Sequence, residues 1–320
     1  MTLRQDTAPA ADGSCSAGPA GRACPAGPAC PACDGPLLPS LAPWLLRCPR
    51  CGLWRSHLGA AGGGLDASAA LDEERRVAGL AGLRRDNYAR TLATLSALTP
   101  LTGKRLLDVG CAYGWFLEAA AAAGLVGIGV EPDPAIGERA RRRGLAVLRG
   151  YFPLALEQDR QAARDVDLIA FNDVLEHLDD VRAAAAACRR LLRPGGLVVV
   201  SAPDSGGILF RAAVALARIG RRGLLERLWQ KGYPSPHLTY FNAGNLAMLM
   251  RREGFVLAAQ RRLRSLSLRG MWARLHMDRR PSVGSSLAWA ALVAAYPLIA
   301  GACPSDQRLS VFAKTEPAAS

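Results

Sequence analysis

Residues 106–116 read LLDVGCAYGWF. A short apolar run ends in an acid, Asp108, and two glycines then stand four apart, at Gly110 and Gly114. A Gly just past a buried run lets the backbone turn tightly and approach something closely, so the run reads as a strand that ends at a ligand or a packed element. Outward from it, apolar residues recur at helical spacing before the strand (Val77, Leu80, Leu83, Tyr88, Leu92, Leu95), and TPLTGK at 99–104 breaks that helix. Downstream come helix AYGWFLEAAAAAG, strand LVGIGVE, helix PAIGERARRRG and strand LAVLRG. Strand VDLIAFN, helix DDVRAAAAACRRLLRPGG and strand LVVVSAP follow. Strands and helices alternating at these lengths are βαβ units, which predict an α/β fold with a Rossmann-like, doubly wound sheet.

In such a sheet, ligands sit beyond the carboxyl ends of the strands. A dinucleotide site wants G-x-G-x-x-G, which carries a pyrophosphate onto a helix N-terminus. Here the turn is Asp108-x-Gly110-x-Ala112-x-Gly114, and Trp115 follows without a third dinucleotide glycine. The second strand ends at Glu131, where a carboxylate can accept both hydroxyls of a ribose. An acid, a tight turn without a phosphate cradle and a ribose acid fit a nucleoside that carries no phosphate. Ala112 has a methyl where glycine would be freer, so its φ is expected below zero.

This combination resembles the class I S-adenosylmethionine-dependent methyltransferases over about Leu106 to Phe255. Further matching pieces are DLIAFNDVLEH (167–177), the Leu192-Arg-Pro-Gly-Gly196 turn, and His237-Leu-Thr-Tyr-Phe241 leading to Arg-Glu-Gly-Phe255. Together they look like the branch that holds the quinone-pathway O-methyltransferases and many bacterial relatives. The resemblance implies S-adenosylmethionine as cofactor, its methionine part on the Gly110–Gly114 turn, with Asp108 ordering the loop. It also implies Glu131 on the ribose, Asn172 among the cofactor contacts, and adenine near Tyr151 and Phe152, where many relatives carry an acid instead.

Cys30-Pro-Ala-Cys33 and Cys48-Pro-Arg-Cys51 form C-x2-C-x14-C-x2-C. Two such knuckles supply four thiolates, a closed tetrahedral set of the structural zinc type, with iron as the lesser option. A closed set leaves no position for chemistry, so the metal is expected to stabilise a module too short for a core of its own. The remaining cysteines (Cys15, Cys24, Cys111, Cys188, Cys303) have no partner at ligand spacing. Nine cysteines with no apolar leader at the start point to a reducing, cytoplasmic compartment and against a disulfide scaffold.

The formal charge of +13 comes from arginine, since Lys104, Lys231 and Lys314 are the only lysines. Such a balance suits nucleic acid or an anionic membrane, and it is also what a GC-rich genome produces. The division expected is a disordered Ala/Pro/Gly tail (1–27), a zinc-ribbon-like module (28–57), a linker (58–74) and a methyltransferase domain (75–265). A basic and apolar helical insertion with the last strand at the sheet edge ends the chain (266–320).

A methyl acceptor that is a hydroxyl gains from a general base, and His suits neutral pH. His177 follows the fourth strand and His237 opens the HLTYF segment, so either is a base or a packed, loop-fixing residue; His57 and His276 lie elsewhere. By the family resemblance Asp173, Glu176 and His177 could hold Mg²⁺, although a solvated acidic loop is the commoner meaning. Arg211, Arg218 and Arg222 share one helical face beside Leu209, Phe210, Val214 and Leu216, which reads either as a helix peripheral to the inner membrane face or as a lid. Leu287–Ala302 is apolar but short and interrupted by Pro297, so it is not a spanning helix. A basic rim and an apolar roof suit a small-molecule, lipid-linked or glycan acceptor. The alternatives are a ribosomal RNA methyltransferase whose module grips RNA, against which the module offers few basic and aromatic residues (Trp44, Arg47, Arg50, Trp54 and Arg55), and a non-catalytic scaffold, which loss of Gly110 or Glu131 would have favoured.

Overall fold

Runs of β-branched and leucine residues bounded by glycine become strands, and alanine-rich runs between them become helices. The computed structural model describes residues 28–59, 73–159, 164–265 and 305–316. Its strands are β1 (Leu38–Pro39), β2 (Leu45–Arg47), β3 (Trp54–Ser56), β4 (Arg105–Val109), β5 (Val126–Glu131), β6 (Val147–Arg149) and β7 (Val166–Asn172). They continue with β8 (Leu192–Pro203), β9 (Thr239–Tyr240), β10 (Phe255–Leu263) and β11 (Gln307–Lys314). The helices are α1 (Glu73–Ser96), α2 (Trp115–Ala122), α3 (Pro134–Arg142), α4 (Val181–Leu191), α5 (Ile208–Arg218), α6 (Gly223–Leu228) and α7 (Ala243–Arg252).

Seven strands form the main sheet in the order β10-β11-β8-β7-β4-β5-β6. β4 pairs in parallel with both β5 and β7, so the chain winds outward from β4 in two directions. The crevice where the winding reverses lies beyond the carboxyl ends of β4 and β7. Alternate residues of each strand feed opposite faces. Leu107, Val109, Ile169, Phe171, Val198 and Val200 enter one core, and Leu106, Leu168, Ala170, Leu197 and Val199 enter the other. β7 is buried at every position, as a central strand covered on both faces must be.

Three features differ from the sequence expectation. β11 is not at the edge: it lies antiparallel between β8 and β10. The edge is β10, a strand the sequence hides, because five of its nine residues are exposed and Arg261 and Arg262 interrupt any apolar alternation. The LRPGG turn is instead the beginning of β8, which pairs with β7 from Leu192 onward.

The helix carrying Arg211 and Arg218 is α5, both arginines being exposed, and Arg222 caps α6. Its apolar side is already covered: Phe210, Ala213 and Ala217 are buried together with Leu45, Trp54, Leu225, Trp229 and Tyr240. No described helix is long and apolar enough to cross a membrane. The tail 1–27, most of the linker, and the stretch 266–304 with Leu287–Ala302 lie outside the described residues.

Candidate active site and four-cysteine cluster

The turn after β4 is left-handed at three of its five residues, with φ +65° at Gly110, +47° at Ala112 and +76° at Gly114. A Cβ on Gly110 would stand 2.6 Å from Val174, and one on Gly114 would stand 2.2 Å from Leu145, so both positions require glycine. Ala112 departs from the expected negative φ. Its Cβ costs about 1–2 kcal/mol in this region, and the conformation is retained because the Ala112 N–H donates to Glu131 Oε2 at 2.9 Å. Glu131 Oε1 accepts the Asp133 N–H at 2.9 Å, and Gly110 and Cys111 donate to the Val130 carbonyl. The turn is thus tied to the end of β5.

Asp108 lies one residue before the end of β4 and Asn172 ends the adjacent β7, and Asn172 Nδ2 donates to Asp108 Oδ1 at 3.2 Å. Burial pushes the Asp108 carboxyl up to about 7, while Asn172 and the Arg84 charge pull it back. Burial also raises Glu131, against the two N–H groups it accepts. Each Glu131 oxygen keeps a lone pair for a further donor, and Asn172 Oδ1 is buried without a partner among the described residues. These open acceptors fit a ligand that brings hydroxyl and ammonium donors. Beside the turn, Ala112, Tyr113 and Trp115 share a cleft with Arg84 and Tyr88 from α1. Gly150 donates to the Glu131 carbonyl, and Tyr151 and Phe152 follow it in the chain. Tyr151 is 73% exposed, and Phe152 packs edge-on against Phe171 at 5.5 Å.

His177 and His237, sixty residues apart in the chain, meet with ring centroids 4.7 Å apart. His177 Nδ1 lies 2.9 Å from the Pro236 carbonyl, which fixes the ring proton there and leaves the lone pair on Nε2. His237 is buried, with Nε2 3.0 Å from Gln230 Nε2. Burial lowers both imidazoles, and His237 drops to about 3 with His177 adding to the effect.

The expected Asp173/Glu176/His177 set does not converge. Asp173 pairs with Arg84 at 3.5 Å and accepts from Gln307, while the donor atoms within 4.8 Å of one another belong to Glu176, His177 and His237. Two imidazoles and one carboxyl, the latter held well above its usual range by burial, are not the all-oxygen set that Mg²⁺ takes.

The sulfurs of Cys30, Cys33, Cys48 and Cys51 lie within 4.8 Å of one another, with Cys30–Cys51 at 3.5 Å and Cys33–Cys48 at 3.4 Å. A tetrahedral zinc with bonds of about 2.3 Å sets its sulfurs about 3.8 Å apart, so the cluster fits such an ion with small adjustment. Gly35 packs close against the cluster, since a Cβ there would lie 3.3 Å from the Cys33 and Cys48 sulfurs. Burial raises the Cys48 thiol, but the backbone N–H groups of Cys51 and Arg50 and the Cys33 thiol outweigh it and bring it to about 7.

Residues 80–260, more than half of the chain, match the methyltransferase domain family. The chain belongs to that family. Among curated proteins it is similar to the ubiquinone biosynthesis O-methyltransferase of Cereibacter sphaeroides, 35% identical over 38% of this chain and 49% of that one. The protein of the same name in Xylella fastidiosa is 32% identical over 51% of this chain and 65% of the relative. The chain thus spans about half the length of the curated relatives it matches. Among solved structures, a chain of the complex between the Haloferax volcanii Trm112 methyltransferase activator and its methyltransferase superposes with a TM-score of 0.55, at 18% identity, over 80% of this chain and 97% of that one. That likeness concerns the fold alone.

Several residues of this methyltransferase domain site carry no sequence signal. Arg84 reaches Asp173 from α1, and Gln307 reaches it from β11, 134 residues away. Arg84 and Tyr88, one helical turn apart and hydrogen-bonded at 3.2 Å, were legible only as part of an amphipathic helix.

Proposed function

We propose that the protein is an S-adenosylmethionine-dependent methyltransferase acting on a hydroxyl of a small-molecule, lipid-linked or glycan acceptor. The observation that carries the reading is the left-handed 110–114 turn bonded through Ala112 to Glu131, at the reversal of the sheet. Asp108, Gly110, Ala112, Gly114 and Asn172 would hold the methionine part, Glu131 the ribose, and Tyr151 with Phe152 the adenine. Bound there, the cofactor supplies a methyl group on a positively charged sulfur, which leaves readily. The protein's task is then alignment and exclusion of water.

His177 is the better base. Its Nε2 lone pair is free of the Pro236 bond, whereas His237, at about 3, is a poor proton acceptor near neutral pH. His237 then serves to seat His177. The four cysteines would hold a structural zinc. The ubiquinone-pathway names of the relatives support oxygen as the accepting atom.

An RNA grip has less support, because the module's own groups are engaged within the chain. Trp44 packs on Trp229 at 5.8 Å and Trp54 on Phe210 at 5.7 Å. Arg47 lies over Trp54, Arg50 donates to the Cys33 carbonyl and Arg55 to Thr239. Stacked bases need free aromatic faces. A membrane-lying α5 is likewise disfavoured by its covered apolar side, and a scaffold by the intact Gly110 and Glu131.

The test is incubation with methyl-labelled S-adenosylmethionine and host extract divided into lipid, polysaccharide, small-molecule, protein and RNA pools. Label in the first three supports the reading. Label confined to RNA overturns the acceptor class, and no label in any pool overturns the activity.

A further inference from the structure

The four-cysteine module is not suspended from the methyltransferase domain. Its last strand, β3, begins three residues after Cys51 and pairs antiparallel with β9, Trp54 facing Tyr240 and Arg55 facing Thr239. β9 comes from the segment that opens with His237. The Ser56 N–H donates to the Leu238 carbonyl at 2.9 Å, and the buried Ser56 Oγ donates to the His237 carbonyl at 2.8 Å. The same two residues are held from two other directions. Leu238 N–H donates to the Glu176 carbonyl at 2.8 Å, next to His177, and His237 N–H donates to the Trp229 carbonyl at 3.1 Å. Arg55 also donates to the Asp179 carbonyl, on the loop that follows His177.

The other end of the module is equally committed. Asp34, in the first knuckle, pairs with Arg182 of α4 and Arg252 of α7. Asn245 of α7 donates to the Cys51 carbonyl, and Cys30, Cys48 and Leu53 share one core with Leu246, Leu249 and Met250. The strands behind the cofactor turn add Leu107, Val109 and Val130 to that core, but the turn itself takes its hydrogen bonds from Val130 and Glu131 of β5.

We infer that the four-cysteine module is a positioning element of the acceptor half: bound together by a metal, its knuckles fix β3, and β3 fixes the backbone of His237 and Leu238 and through it the His177–His237 pair. The 110–114 turn and Glu131 form without it. Ser56 is the positioning residue at the junction, since it donates to the carbonyls of both His237 and Leu238, its side chain bonding the His237 backbone and not the ring. The inference rests on the proposed acceptor role of the histidine pair for its meaning. Its geometric content is measured without methyl transfer, so a missing acceptor and a missing coupling give different results.

The experiment is hydrogen exchange by mass spectrometry on the full chain, zinc-loaded and after dialysis against a chelator, with metal content measured on both samples. On zinc loss, exchange at 54–57 and 236–241 is expected to rise about tenfold, as for the loss of a hydrogen bond's worth of protection. Exchange at 105–131 and the binding of S-adenosylhomocysteine should stay unchanged. Unchanged exchange at 236–241 overturns the inference. So does an equal rise at 105–131, which would mean the module merely stabilises the whole domain, and so does a purified chain with no bound metal. Ser56→Ala provides a second measurement with the cysteines intact. It should keep its zinc yet shift the ring resonances and titration of His177 and His237, with Ser56→Thr restoring them. Ring signals unmoved in Ser56→Ala overturn the inference as well.

Discussion

Glu131→Gln keeps the size of the side chain and changes only what it can accept. The carboxylate receives the Ala112 N–H on one oxygen and the Asp133 N–H on the other, both at 2.9 Å. Glutamine offers one oxygen and one NH2, so one of those two N–H groups must face a donor. A buried donor left unpaired costs about 1–3 kcal/mol, and the variant should melt a few degrees lower. The effect on the cofactor is separate. Hydrogen bonds to a charged acceptor are worth about 1.5–3 kcal/mol and neutral ones about 0.5–1.5, so each ribose hydroxyl loses about 1–1.5 kcal/mol. Two hydroxyls give about 2–3 kcal/mol, or roughly 30- to 150-fold in affinity. Isothermal titration with S-adenosylhomocysteine reads this directly, with Glu138→Gln on α3 as a control, since Glu138 only bridges Arg141 and Arg142 on the surface. A folded Glu131→Gln protein that binds within threefold of the wild type refutes the ribose assignment.

The turn makes a paired prediction. Gly114→Ala should lose about 2–4 kcal/mol in urea unfolding, from the left-handed backbone and the overlap with Leu145, whereas Ala112→Gly should gain up to about 1 kcal/mol by releasing the strain at φ +47°. Asp108 makes stability depend on pH in a definite direction. Its folded carboxyl is raised to about 7 from 3.8, so its contribution is fully present below about pH 4 and is lost as pH rises towards 7. Melting curves should therefore show Asp108→Asn gaining on the wild type by up to about 1.4 kcal/mol per pH unit across that window and running parallel to it above; a constant offset from pH 4 to 8 contradicts this. Metal analysis should find one zinc per chain that is lost in Cys30→Ser and Cys48→Ser and kept in Cys111→Ser and Cys188→Ser. Millimolar Mg²⁺ should leave the melting temperature where it is, because Asp173 is engaged by Arg84 and Gln307.

Local patterns carried far in this chain because the parallel strands are buried on both faces and read as unbroken apolar runs. LLDV and VDLIAFN became β4 and β7, and Glu131 ends β5. The four cysteines were legible for a different reason: metal-ligand spacing is set within each knuckle and needs no tertiary information. What escaped the sequence depends on contacts between distant segments. Nothing local marks β10, whose exposed edge tolerates arginine, and without it β11 looks like the last strand in space as well as in sequence. Ala112 departs from its expected conformation because propensity disfavours a left-handed alanine, while the Glu131 bond that holds it there belongs to the next strand. By composition the module reads as a separate unit. Only the β3–β9 pairing reveals that Ser56 and His237 are neighbours across 181 residues.

Methyl transfer at saturating cofactor, compared between the wild type, Glu131→Gln and His177→Ala in whichever extract pool the wild type labels, puts the whole site to the test. The wild type should label the lipid, glycan or small-molecule pool, and Glu131→Gln should recover as S-adenosylmethionine is raised. His177→Ala should remain about 100-fold or more below the wild type while binding cofactor normally. Equal labelling by His177→Ala, or label that appears only in RNA, would contradict the account.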